Sequence, residues 1–319
     1  GISSKTVTFF MSGSLLKGNV AKRKGGAITM RETLKSIKII NTKFIGNIAT
    51  YYGGAIYYAN GFKTQTEVMA VLEIVSCEFT NNEANIEGGA IYNTPKLGIF
   101  DPPKYIIKGN STFIGNKALK NGGAIRTSGL GSIIYMENVV FQGNTATNEN
   151  GGAIYFHIAD GDCGLFSNKM VNQSTILKNN VIFYDNVAKY AGGAIFAEWC
   201  NIPNVGIVLP YRFEQDDNNN NNNFDIAVKP IFNGGNRLTF SKGYGPNNAS
   251  MGVRLVKKKM PTNVKLNKPV TFQIYVHDIF GHVVTNTPNV PDFEIIYDNA
   301  DLNKELNKYQ PTIRDGIIT

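Results

Sequence analysis

The residues whose types could do chemistry gather in one long loop and just beyond it. Asp160 and Asp162 flank Gly161 beside His157, and Glu198 lies further along the chain. Paired carboxylates serve acid–base cleavage of glycosidic bonds, or hold Ca²⁺, when several converge on one groove. A polar turn accounts for Asp-Gly-Asp equally well. No Ser/His/Asp elbow, His-Glu-x-x-His pair or phosphate-binding loop occurs. Cys77, Cys163 and Cys200 lack metal-ligand spacing, so no metal, cofactor or catalytic residue is assigned. His277 and His282 flank a turn and are expected to face solvent. The chain therefore reads as non-enzymatic. The alternative is a polysaccharide-active lyase or glycosidase with its site around Asp160, Asp162 and Glu198.

The elements that would position such residues are set by an internal repeat. Gly-Gly-Ala-Ile recurs at Gly25, Gly53, Gly88, Gly122, Gly151 and Gly192. A large apolar residue precedes each glycine pair by nine or ten positions: Leu16, Phe44, Phe79, Phe113, Phe141 and Phe183. Three residues later stands Asn19, Asn47, Asn82, Asn116, Asn144 or Asn186, and two beyond that an Ala. Asn also recurs three residues before the Phe, at Asn41, Asn110, Asn138 and Asn180, with Ser76 in a fifth copy. The chain contains 39 Asn, and this phasing separates those of the repeat from the loop run Asn218–Asn223.

Short β-rich runs precede each Phe, for example Ile37–Ile40 and Leu72–Val75, and no segment sustains a helical apolar period. One strand-turn unit per repeat predicts a parallel β-helix of about six to seven coils, right-handed by the general rule for crossovers. Identical positions then sit above one another at the inter-strand spacing. Phe fills the interior, Asn bonds turn backbone, and Ala fits a corner. The glycine pairs Gly53-Gly54, Gly88-Gly89, Gly122-Gly123, Gly151-Gly152 and Gly192-Gly193 supply positive φ or close approach. Phe240 to Ser250 is expected to form a degenerate seventh coil, a cap to the stack.

The combination Phe-x-x-Asn plus Gly-Gly-Ala-Ile resembles the repeat of chlamydial polymorphic outer membrane proteins, over roughly residues 9–200. Similar repeats occur in large surface proteins of ciliates and other protists, and the Asn-rich tract and the C-terminal segment favour that type. The resemblance implies an extracellular or cell-surface β-helix used in adhesion or surface architecture, with no catalytic residues to carry over. Self-association, protein partners or glycans are the implied contacts.

Insertions fall in one sector of each coil, at Asn93–Lys104, His157–Met170 and Trp199–Phe232, and such a sector is often a binding face. The residue after each motif Ile is Thr29, Tyr57, Tyr92, Arg126, Tyr155 or Phe196. If the Ile points inward, these point outward and form a column fit for sugar stacking or for lateral packing. Exposure of Tyr57, Tyr92 and Tyr155 separates the two. Cys163 and Cys200 follow successive copies, so a disulfide between their loops can form, whereas Cys77 reads as a core thiol. Asn110, Asn172 and Asn248 begin N-glycosylation sequons.

A net charge of +8 on 319 residues favours acidic partners such as anionic glycans or membrane surfaces. Its densest runs, Lys22–Lys24 and Lys257–Lys259, lack the interleaved aromatics of a nucleic-acid module. No apolar run is long enough to span a membrane. The chain opens with neither Met nor an apolar signal core, so it is read as a segment of a longer protein. Residues 1–256 are assigned to the β-helix and 262–319 to a partial immunoglobulin-like β domain. A hairpin over Val270–Val276 and a strand from Val283 would open that domain, after a bridge at Lys257–Pro261.

Overall fold

A computed structural model describes residues 7–31, 34–59, 71–94, 104–128, 133–157, 175–177, 180–198, 200–202, 206–208, 211–213, 231–232, 236–238, 248–250, 254–259, 273–278, 282, 284, 313–314 and 317–318. Every regular element among them is a strand. The first coil contains β1 (Val7–Ser12), β2 (Leu15–Lys17), β3 (Val20–Ala21) and β4 (Ile28–Arg31). The second repeats this as β5 (Leu34–Ile40), β6 (Lys43–Ile45), β7 (Ile48–Ala49) and β8 (Ile56–Ala59). Third come β9 (Val71–Val75), β10 (Glu78–Thr80), β11 (Glu83–Ala84) and β12 (Ile91–Asn93). The fourth holds β13 (Lys104–Lys108), β14 (Ser111–Ile114), β15 (Lys117–Ala118) and β16 (Ile125–Ser128). The fifth holds β17 (Ile133–Met136), β18 (Val139–Gln142), β19 (Thr145–Ala146) and β20 (Ile154–His157). In the sixth are β21 (Thr175–Leu177), β22 (Val181–Tyr184), β23 (Val187–Ala188) and β24 (Ile195–Ala197).

After a small antiparallel pair, β25 (Cys200–Ile202) and β26 (Gly206–Val208), a seventh coil follows. Its strands are β27 (Tyr211–Phe213), β28 (Ile231–Phe232), β29 (Arg237–Leu238) and β30 (Asn248–Ser250). Corresponding strands pair in parallel into four sheets of seven strands each, which makes the chain a parallel β-helix. The seventh coil differs from expectation in its register. Phe232, not Phe240, pairs with Phe183, and Asn236 takes the next Asn position. Asn236 stands four positions after Phe232 where Asn186 stands three after Phe183, so one added residue hides the motif.

Inside the stack, Phe44, Phe79, Phe113, Phe141 and Phe183 are each 0% exposed. Their rings stack with centroids 4.7–4.9 Å apart, the spacing that neighbouring strands impose. The Asn column is a hydrogen-bonded ladder. Asn82 Nδ2 donates to Asn116 Oδ1 at 2.9 Å and to the Phe44 carbonyl at 2.9 Å, and its backbone N–H reaches the same Oδ1 at 3.0 Å. Each ladder amide thus ties its own coil to the one before and the one after, and satisfies backbone that the turn would leave buried and unpaired. The pattern runs from Asn19 to Asn236.

The second Asn column differs in role. Asn41, Ser76, Asn110, Asn138 and Asn180 occupy left-handed corners with φ of 48–62°. Asn is favoured there because its short amide tolerates that conformation. Only Asn180 and Asn138 bond along this column, at 3.0 Å, among the described residues.

The glycine pair divides two tasks. Gly53 has a φ of +66°, and a Cβ on it would lie 2.2 Å from the Ile56 carbonyl oxygen. Gly54 lets coils touch, since a Cβ there would sit 2.1 Å from the carbonyl oxygen of Gly89. Salt bridges lace the outside of the first sheet, where Glu73 meets Lys38 at 3.0 Å and Lys108 at 2.9 Å.

Beyond the seventh coil, β31 (Arg254–Lys259), β32 (Gln273–His277), β33 (Ile313–Arg314) and β34 (Ile317–Ile318) form an antiparallel sheet in the order β31-β32-β34-β33. The basic run Lys257–Lys259 is therefore part of an edge strand rather than a bridge, a place where Lys discourages further pairing. The strand β32 pairs with β31 and β34, while His282 and Val284 lie outside strands. The strand expected from Val283 lies outside the described residues, and β32 pairs with the chain that precedes it. His282 does not project into solvent alone: its Nδ1 lies 3.0 Å from the carboxylate of Asp278, which is 1% exposed and also accepts the His282 N–H at 2.8 Å. His277 is half-buried, with Nε2 enclosed.

Candidate functional site

The fourth sheet, β4-β8-β12-β16-β20-β24-β30, carries the column that follows each motif Ile. Register places Thr29, Tyr57, Tyr92, Arg126, Tyr155 and Phe196 directly above one another. Strand alternation turns them away from the core, because Ile56 and Tyr58 on either side of Tyr57 point into it. Outward does not mean open. Tyr57 is 5% exposed, Tyr155 8%, Phe196 1% and Arg126 6%, and Tyr92 is half-buried. Their ring faces are covered, as lateral packing requires and sugar stacking on open faces does not.

The column is held by alternating aromatic and cationic contacts. Lys24 Nζ lies 4.3 Å from the Tyr57 ring centroid and donates to its hydroxyl at 2.9 Å. Tyr57 stacks on Tyr92 at 5.5 Å, and Arg126 covers the other face of that ring at 4.7 Å. Further along, Tyr155 stacks on Phe196 at 5.4 Å. Such pairs each add a fraction of a kcal/mol to about 2 kcal/mol beyond burial. Burial pushes the Tyr92 hydroxyl up to about 12, against a smaller opposing pull from Arg126.

Carboxylates flank the column, each with a partner. Glu87 lies 3.5 Å from Arg126 Nε and accepts from Asn121 Nδ2 at 3.1 Å. Glu149 accepts from the same amide at 2.6 Å. Glu198 accepts the Tyr155 hydroxyl at 2.5 Å and meets His157 Nδ1 at 3.0 Å. Burial first, then the charge of Glu198, raises the Tyr155 hydroxyl well above its ordinary range. The sequence pointed to His157 and Glu198 but not to Tyr155 as their link. Adjacent coils bring these three together although 43 residues separate Tyr155 from Glu198. Glu87 escaped attention, as did the contact of Lys24 with Tyr57, since only the structure shows which residues at different positions of the repeat meet.

Asp160, Asp162, Cys163 and Asn172 lie outside the described residues, as do most of the insertion loops. Of the other sequon residues, Asn110 is exposed at a left-handed corner and Asn248 lies in β30. Cys200 falls in β25. Cys77 is buried and free, and its burial raises the thiol pKa.

No curated protein and no solved structure matches this chain. The family model of the Chlamydia polymorphic membrane protein repeat matches five times, at residues 41–59, 76–94, 110–128, 138–157 and 180–198. Each match opens at the left-handed corner before the Phe and runs through the ladder Asn and the glycine pair into a strand of the fourth sheet. On these five segments, from the second coil to the sixth, the chain carries repeats of the Chlamydia polymorphic membrane protein type.

Proposed function

We propose that this chain is a non-enzymatic structural and adhesive module displayed outside the cell or on its surface, where it associates with copies of itself, with partner proteins or with glycans. One observation carries the reading: the side chains that recur in every coil join coil to coil, while the outward positions vary. Phe44 and Asn47 have identical counterparts in the next coil, whereas on the outer side of the same strands Lys43, Glu78 and Thr112 succeed one another. A rigid stack with a changing lateral surface suits recognition and assembly more than turnover. The repeat's family name supports a membrane-associated surface setting. Protist-type character rests on the Asn218–Asn223 tract and the C-terminal segment.

The competing polysaccharide-active reading has one carboxylate in the described structure, Glu198, and that group is engaged by Tyr155 and His157. The test is a glycan array together with a self-association assay on the 319-residue chain. Binding of anionic glycans, or concentration-dependent association, is expected. A strict monomer that binds no glycan would sink the adhesive reading, and release of sugar products abolished by Glu198→Gln would favour the enzyme.

A further inference from the structure

The described charges are sorted by coil. In the second coil they are Lys35, Lys38 and Lys43, with no acidic residue. The third holds Glu73, Glu78, Glu83 and Glu87 and no Lys or Arg. The fourth returns to Lys104, Lys108, Lys117, Lys120 and Arg126, with no acidic residue. The fifth holds Glu137 and Glu149, again with no Lys or Arg. The ion pairs of Lys and Arg among the described residues therefore all join neighbouring coils. Lys38 and Lys108 meet Glu73, Lys43 meets Glu78, Lys117 meets Glu83, Arg126 meets Glu87 and Lys120 meets Glu149.

The core cannot tell one coil from another. Phe44 would stack on Phe113 as well as it does on Phe79, and Asn47 would bond Asn116 as well as Asn82. A coil skipped during folding leaves such a core intact, and misassembly of like units is a characteristic failure of repeat proteins. The charges do tell them apart. With the third coil skipped, the basic second coil would meet the basic fourth, and every pair made by Glu73, Glu78, Glu83 and Glu87 would be lost. With the fourth skipped, Glu87 would approach Glu149 without Asn121, whose Nδ2 donates to both, at 3.1 and 2.6 Å. The first coil is basic as well but causes no such clash. In the strand register Lys38 and Lys43 lie beside Phe10 and Leu15, and Lys17 beside Ile45.

We propose that the alternating charge bands of the second to fifth coils fix which coil stacks on which as the chain folds. The lysines of these pairs are 40–60% exposed, so each pair is individually weak and a whole band acts together. The bands work by penalising the wrong neighbour, which the repeated core leaves unpenalised.

The test reads coil order directly. Ile45, Thr80 and Ile114 are successive members of one outward column. In the native register Ile45 and Ile114 stand two inter-strand spacings apart, about 9.6 Å, beyond the reach of a disulfide. Skipping the third coil would bring them to one spacing, about 4.8 Å, within that reach. The 319-residue chain carrying Ile45→Cys and Ile114→Cys is refolded from urea under oxidising conditions, and the 45–114 disulfide is quantified by peptide mass spectrometry. A second chain adds Lys43→Glu, Glu78→Lys, Glu83→Lys and Lys117→Glu. These changes keep the net charge and reverse two ion pairs without removing them, but leave the third coil neutral. The 45–114 product is expected to rise at least about threefold in the second chain, and also in the first at 1 M NaCl, where the screening length falls to about 3 Å. An equal yield with the bands intact, erased or screened overturns the inference. A lower thermal midpoint with an unchanged yield overturns it too, since the charges then act on stability and not on order. If the second chain fails to fold, the salt series on the first decides by the same criterion.

Discussion

The Cβ that Gly54 lacks would lie 2.1 Å from the carbonyl oxygen of Gly89, one coil further along the stack. The same approach recurs at 2.0–2.1 Å from Gly26 through Gly152, so the second glycine of each pair sets how closely coils pack. Gly54→Ala must push two backbones apart and should cost at least about 2–3 kcal/mol, the upper part of the overpacking range. Gly143→Ala is the control: its φ is +62°, but nothing lies within 4 Å of an added Cβ, so only the backbone penalty of about 1–2 kcal/mol applies. Urea midpoints of the two variants check the difference.

Ladder and corner asparagines should separate just as cleanly. Asn116→Ala removes the acceptor for both the backbone N–H and the Nδ2 of Asn82 and the donor to the Phe79 carbonyl, all buried. Three orphaned groups predict a loss of about 3 kcal/mol or more. Asn110→Gly, at an exposed corner with φ of 62°, should be neutral or slightly stabilising. Denaturant titrations at neutral pH read both.

Acid stability should report the Lys–Glu–Lys bridge across three coils. The hydrogen bond from Lys108 holds the Glu73 carboxyl below its ordinary range, opposed by partial burial and aided by Lys38. A folded pKa below the unfolded one means stability present at neutral pH and lost as pH falls below about 4.3 towards the folded value. Glu73→Gln should therefore melt earlier than wild type at pH 7. The two melting curves should converge as the medium is acidified through that window.

For the outward column, burial predicts a packing role that mutation can expose. Tyr155→Ala removes a side chain that is 8% exposed and should cost about 3–5 kcal/mol, as for other buried aromatics. Tyr155→Phe keeps the stack on Phe196 and deletes only the bond to Glu198, for a smaller loss of about 1.5–3 kcal/mol. Thermal midpoints that stay at the wild-type value in both would contradict packing and point to an open binding face.

Alkaline titration tests the same column from its chemistry. Burial raises Tyr92 to about 12, so its neutral hydroxyl contributes stability below about pH 10, which is lost as pH rises towards 12. Absorbance of the folded chain should show tyrosines that ionise late, and Tyr92→Phe should remove one of them.

The sequence by itself determined the coil, because stacking places like on like: a residue that recurs every turn of the chain is its own neighbour in space. Phe44 over Phe79 and Asn47 bonded to Asn82 are legible for that reason. The tertiary structure alone decided matters that involve unlike residues on different coils. It linked Tyr155 to Glu198, set Lys24 against Tyr57, and buried a column whose alternation said only that it faces outward. It also moved the seventh coil to Phe232 and Asn236, since one extra residue between them breaks a spacing without breaking the register of hydrogen bonds. Side chains at different positions of the repeat meet by reaching across coils, and no period in the chain encodes those meetings.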